Sequence, residues 1–469
     1  MHTKLAFRSA VEIGKLIKQG KLSSEKVTRA LLERIEKFDH SLGSYVSLLA
    51  QTAIKQARQA DREIQAGKVR SSIHGVPLAV KDLCDIKGLP TTGGIPAFVD
   101  RIAATDSTVV RKLRDAGAVI MGKLHLTEAA LGLHHPDVDP PINPWSKNRW
   151  SGASSSGTGV SVAAGLNFGA LGSDTGGSIR FPAAANGVVG LKPTWGRVSR
   201  YGVFPLSETL DHVGPLARSV EDAAAILQAI AGADPKDTTA ARQDVPDYLA
   251  ELKNGVRGLT IGVDRKSTLT KVDPEIRRAV EKAIRVFKGA GATIRPCKLP
   301  NSDTVVQSWV PICASEAAAA HNDTFPERKK DYSDALQNFL TSGERFSGIE
   351  LANAHIERAR YGADMNNFFG TVDLLIKPVT KSLNPTIRGL NNLLSKADGI
   401  EQLVNFTCPD DLTGMPTITL PAGLDKNGSP IAFQIVASAF RETLLFRAGK
   451  VWQSKADWRK ILPPLAVDQ

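Results

Sequence analysis

Two clusters of glycine and hydroxyl residues carry the chemistry that this chain could perform. In the first, Ser151-Gly152-Ala153-Ser154-Ser155-Ser156-Gly157-Thr158-Gly159, five hydroxyl residues and three glycines share nine positions. The second is Gly172-Ser173-Asp174-Thr175-Gly176-Gly177-Ser178-Ile179-Arg180. Glycines let a backbone approach a ligand closely and take positive φ. Consecutive N–H groups then converge on one point, which suits an anion or a developing oxyanion. A serine at the end of such a loop can attack a carbonyl. Neither cluster holds phosphate in a known way. No lysine follows the glycines as a P-loop requires, and Gly157-Thr158-Gly159 lacks the third glycine of a dinucleotide fingerprint.

An attacking serine needs a base. The G-x-S-x-G elbow is absent around Ser154 and Ser178. Nine histidines leave a Ser-His-Asp arrangement open by count. His134-His135 with Asp137 and Asp139 match no common zinc spacing, and Pro136, Pro140 and Pro141 make that segment a rigid loop, so no metal is expected. The other candidate is Lys81, which ends the apolar run Val76-Pro77-Leu78-Ala79-Val80. Burial disfavours an ammonium and lowers its pKa from ~10.4. A neutral lysine could take a proton from a serine, whereas a solvated one could not. On the residues alone, both bases stay open.

The elements that must position these groups alternate between helix and strand. Val27, Leu31, Ile35 and Phe38 recur at helical spacing after Ser23-Ser24, which can cap. Ala53, Ala57, Ala60 and Ile64 mark a second helix that Gly67 ends. The run 75–82 predicts a buried strand; Ser107 to Ala116 predicts a helix, and Ala118-Val119-Ile120-Met121 the next strand. Val160 to Gly165 predicts a small-residue helix and Phe168 to Leu171 a strand. The alternation returns in the strand Leu259–Val263, the helix capped by Asp273 with Pro274 at its first position, and the strand Ala292-Thr293-Ile294. The pattern is α/β, a mostly buried sheet covered by helices.

Composition removes several function classes. The 469 residues are 42% hydrophobic and 23% charged, ordinary for a globular protein. The net charge of +11 is spread thinly, without a basic run, so no nucleic-acid partner is expected. Cys84, Cys297, Cys313 and Cys408 form no C-x-x-C pair and fit a reducing, cytoplasmic compartment. The start at Met1 lacks the apolar stretch of a signal peptide. No apolar run reaches the length of a membrane span, so no membrane partner is expected.

Taken together, these residues resemble the amidase signature family. Gly152-Ala153-Ser154-Ser155-Ser156-Gly157, and Gly172 through Arg180 continued by Phe181-Pro182-Ala183-Ala184, look like its defining stretch. Gly190-Leu191-Lys192-Pro193-Thr194, Asp211-His212-Val213-Gly214-Pro215, the strand Gly75 to Asp82 and the segment Asp411 to Gly423 also match. The resemblance covers about residues 10–455, with Ala153 standing where a second glycine is common. It implies a large mixed, mostly parallel twisted sheet covered by helices on both faces. It further implies a single domain over 1–469: a helical N-terminal segment to about 70, a signature core to about 230, and pocket-forming segments over the remainder.

The resemblance also implies a Ser–cisSer–Lys triad. The nucleophile falls on Ser178, the bridging serine after a cis peptide on Ser154, and the base on Lys81. The backbone N–H groups of Thr175, Gly176, Gly177 and Ser178 would hold the oxyanion. Asp174 and Arg180 would brace the glycine loop by charge-assisted hydrogen bonds. Ser155, His134, Trp145 and Trp309 are the substrate-contact candidates, from segments 125–150 and 305–345 and the serine cluster. The activity implied is hydrolysis of a small-molecule amide without metal or cofactor, and a homodimer is compatible with it. Two other functions compete: the glutaminase subunit of a tRNA-dependent amidotransferase, and an inactive binding protein. The first lacks, after Asp373 to Thr380, the Ala-Phe and glycine run associated with that subunit. The second would need a lost triad member, and all three are present.

Overall fold

The computed structural model describes residues 2–467. Met1 and residues 468–469 of the expected domain lie outside the described residues. Eleven strands form one sheet. They are β1 (Tyr45–Leu48), β2 (Pro77–Lys81), β3 (Val119–Leu124), β4 (Gly169–Asp174), β5 (Val189–Lys192), β6 (His212–Ala217), β7 (Thr260–Val263), β8 (Thr293–Pro296), β9 (Leu374–Pro378), β10 (Thr417–Leu424) and β11 (Pro430–Ala437). Their order is β1-β3-β2-β4-β6-β5-β10-β11-β9-β7-β8.

The α/β class and the large mixed sheet match expectation. The emphasis on parallel strands is corrected: four of these pairings are parallel and six antiparallel. Parallel pairing is confined to β3-β2-β4 and to β9-β7-β8. Each group contains a strand–helix–strand unit, the connection that parallel neighbours require. In the first, the helix Thr108–Asp115 links β2 to β3; in the second, Pro274–Gly289 links β7 to β8. Between the groups, β6 returns beside β4, and β10 and β11 form a hairpin closed at Gly428 with φ 78.

The predicted helices form where the apolar stripes lie. Ser24–Leu42 starts at Ser23, whose side chain accepts from the Lys26 N–H, and buries Val27, Leu31 and Ile35. Each such side chain contributes about 1.5–3 kcal/mol on burial. Asp273 caps Pro274–Gly289, which buries Ile276, Ala283 and Phe287. β2, β3, β4 and β6 are buried along their whole length, so both faces are covered. A second apolar cluster joins the helices Asp303–His321, Asp334–Arg345 and Gly348–Phe369 through Trp309, Ile312, Leu336, Leu340 and Met365. It packs over the loop that follows β4, with Trp309 against Gly176.

Candidate active site

β2 and β4 are parallel neighbours, so their C-terminal ends open on the same edge of the sheet. Crevices at that edge collect ligands in α/β folds. Lys81 is the last residue of β2. Ser178 lies in the loop between β4 and the helix Arg180–Asn186, and Ser154 in the loop before the helix Ser156–Ala163. The three residues singled out as a triad therefore lie together, although 73 positions separate Lys81 from Ser154.

Lys81 Nζ is 2.7 Å from Ser154 Oγ and 2.8 Å from Ser173 Oγ. The Ser154 N–H donates to Ser178 Oγ at 3.4 Å. Burial pushes the Lys81 ammonium down from the usual 10.5 to about 7, against the upward pull of Asp211 and Asp174. Lys81 and Ser154 are each 1% exposed and Ser178 is 8% exposed, so of the three only Ser178 meets the cavity in front of it.

The glycine loop is braced as the Asp–Arg pair suggested. Arg180 donates to Asp174 from Nε at 3.0 Å and from Nη2 at 2.8 Å. The Asp174 carboxylate also accepts from the N–H groups of Gly177 at 2.6 Å and Ile179 at 2.9 Å. Burial opposes its ionisation, yet Arg180 outweighs burial and holds the carboxyl below the usual range. Arg180 further donates to Asp410 at 3.0 Å and Asp411 at 2.5 Å. On the other side, Trp309 Nε1–H donates to Thr175 O at 2.8 Å and Thr407 Oγ1–H to Gly176 O at 2.6 Å. Gly177 has φ 136, and a Cβ there would lie 2.3 Å from the Phe181 ring, so only glycine fits.

Two expectations change. The Gly177 N–H donates to Asp174 at 2.6 Å and so is already committed, because a buried carboxylate at the loop's base takes the nearest donor. The N–H groups of Thr175, Gly176 and Ser178 have no protein acceptor among the described residues. Second, no cis peptide bond occurs among the described residues, so the bond before Ser154 is trans. The chain turns two residues earlier instead, at Gly152 with φ 101, where a Cβ would meet Pro182 Cα at 2.3 Å. A non-proline cis bond costs about 3 kcal/mol, which the trans loop avoids.

Of the four substrate-contact candidates, Trp309 lines the cavity. The others are placed elsewhere. Ser155 Oγ bonds the backbone of Ser173 at 3.2 Å and is fully buried. His134 Nε2 is 3.0 Å from Ser156 Oγ, and burial pushes its pKa down to about 4. Trp145 Nε1–H donates to Asn186 O at 2.8 Å and packs against Gly187. Sequence reasoning missed Ser173, the second neighbour of Lys81, and Glu128 on the cavity wall. Ser173 sits inside the second glycine cluster, but nothing in its spacing marks it.

Comparison with known proteins decides the family. A family model described as Amidase matches residues 26–446. This chain belongs to the amidase signature family. It is a hydrolase of that family. It is 40% identical over 454 residues to "Putative amidase AmiD" of Mycobacterium tuberculosis (strain ATCC 25618 / H37Rv), covering 97% of this chain and 95% of that one. It is 36% identical over 482 residues to a glutamyl-tRNA(Gln) amidotransferase subunit of Geobacter sp. (strain M21), covering 97% and 98%. The solved peptide amidase of Stenotrophomonas maltophilia superposes with a TM-score of 0.83 at 29% identity, covering 97% and 98%. Among the described residues of this amidase signature chain, no helix is long and apolar enough to cross a membrane.

Proposed function

We propose that the chain hydrolyses linear carboxamide C–N bonds through an acyl-enzyme on Ser178. The observation that carries this is a buried lysine, lowered to about 7, 2.7 Å from a serine whose N–H donates to Ser178 Oγ, a hydroxyl that faces a cavity. Neutral Lys81 takes a proton from Ser154 Oγ, which takes one from Ser178 Oγ after that side chain rotates toward it. Ser178 Oγ attacks the carboxamide carbon. The N–H groups of Thr175, Gly176 and Ser178 receive the oxyanion, a contribution of roughly 3–4 kcal/mol per donor. Ser154 then passes the proton from Lys81 to the leaving nitrogen, the C–N bond breaks, and ammonia or an amine departs. Water repeats the sequence on the ester and releases the carboxylate. Lys81 and Ser154 carry each proton between Ser178 or the attacking water and the leaving group, so the proposed cycle calls on no metal or organic cofactor.

The single-domain organisation belongs to the same proposal, supported by one sheet that draws strands from Tyr45 to Ala437. So do a small-molecule amide as the partner, without nucleic acid, and a cytoplasmic setting, which the unbridged cysteines favour. A homodimer is tested by sedimentation. The test of function is ammonia release from primary carboxamides by the purified chain. We expect turnover that the Ser178→Ala variant loses while keeping its circular dichroism; equal turnover in the variant would overturn the assignment.

A further inference from the structure

The cavity in front of Ser178 has a volume of about 260 Å³ and opens to solvent. At roughly 30 Å³ per water-sized group, it holds on the order of eight non-hydrogen atoms. Its walls are apolar: Leu131, Phe181, Trp309, Leu336, Phe339 and Leu403. No lysine, arginine or histidine lines it among the described residues. Its one ionisable side chain is Glu128, which is 2% exposed. The Glu128 carboxyl is already engaged, accepting from the Ser333 N–H at 2.9 Å and from the Ser333 hydroxyl.

We propose that this acyl site takes an uncharged, apolar acyl group of about six carbons and rejects acyl groups that carry a carboxylate. The proposal rests on the amide-hydrolase function above and names its substrate class. Free glutamine falls on the rejected side. Its α-carboxylate would be stripped of water against aliphatic walls, with no cation to meet it and Glu128 nearby to repel it. A desolvated, unpaired charge is among the costliest groups to bury. A methylene, in contrast, gains roughly threefold to fourfold in binding when it leaves water for such walls. The cavity's size matches hexanamide, whose chain would run from Ser178 toward Leu336 and Leu403. The helix Gly399–Val404 contributes Ile400, Leu403 and Val404 to the lining, and Ile400 is exposed.

The experiment uses the full chain and two readouts. In the first, kcat/KM is measured for acetamide, hexanamide and L-glutamine. Hexanamide should exceed acetamide by about a hundredfold, and glutamine by at least as much. In the second, binding of hexanamide and L-glutamine to Ser178→Ala is followed by NMR titration, which reads the cavity without the chemistry. Hexanamide should bind and glutamine should not. Leu403 is half-buried, so Leu403→Arg can place a cation at the cavity and should raise glutamine relative to hexanamide at least tenfold. Glutamine turned over or bound as well as hexanamide, or rates independent of chain length, would overturn the proposal while leaving amide hydrolysis standing. Selective binding of hexanamide without hydrolysis of any amide would uphold the pocket and overturn the hydrolase assignment.

Discussion

The Trp309 indole N–H donates to the Thr175 carbonyl at 2.8 Å. Across a planar trans peptide the carbonyl and the following N–H point in opposite directions. Trp309 therefore fixes where the Gly176 N–H points, and its ring lies where a Gly176 side chain would be. Trp309→Phe keeps an aromatic wall and removes the donor. Losing one such bond costs about 0.5–1.5 kcal/mol. The expected result is a fall in kcat of roughly twofold to tenfold with a smaller change in KM, from steady-state kinetics.

Lys81 gives the pH dependence. Its ammonium is lowered to about 7 by burial. A base must be unprotonated, so activity is low on the acid side, rises as pH passes through about 7, and then levels. Lys81→Arg keeps the charge but stays protonated throughout, and should be inactive across the same range. A kcat profile from pH 5 to 9 on both proteins checks this.

Ser154→Ala removes the hydroxyl between Lys81 and Ser178. The expected loss in kcat for an amide is about 10²–10⁴-fold, with little change in KM. An activated ester, whose leaving group needs little protonation, should still acylate Ser178 slowly. Stopped-flow acylation beside steady-state amide hydrolysis separates the two effects.

Gly177→Ala tests the loop. With φ 136 and a Cβ 2.3 Å from the Phe181 ring, alanine is both strained and overpacked. A loss of about 1–3 kcal/mol is expected from the clash, more with the strain. Urea denaturation should show a lower midpoint with an unchanged slope.

Much of this was legible in the sequence, for a physical reason. β2, β3 and β4 are buried on both faces, so they read as continuous apolar or small-residue runs. Lys81 stood out because a charge ends such a run. The antiparallel middle of the sheet was not legible: β5 pairs with β10, whose residues lie more than two hundred positions away, and a strand buried on both faces carries no alternation to fix its partner. Ser173 and Trp309 were hidden or undecided in the same way. Their contacts span 92 and 134 positions, and Trp145 looked as suitable as Trp309 until packing placed one on the cavity and the other on Asn186.

The most direct test of the Ser178 acyl-enzyme is to trap it. The Ser154→Ala variant is mixed with a p-nitrophenyl ester of hexanoate, quenched in acid, digested and mapped by mass spectrometry. One acyl group on Ser178 is the predicted result, absent when Ser178→Ala is added. An acyl group on another residue, or none while the ester is turned over, would contradict the account.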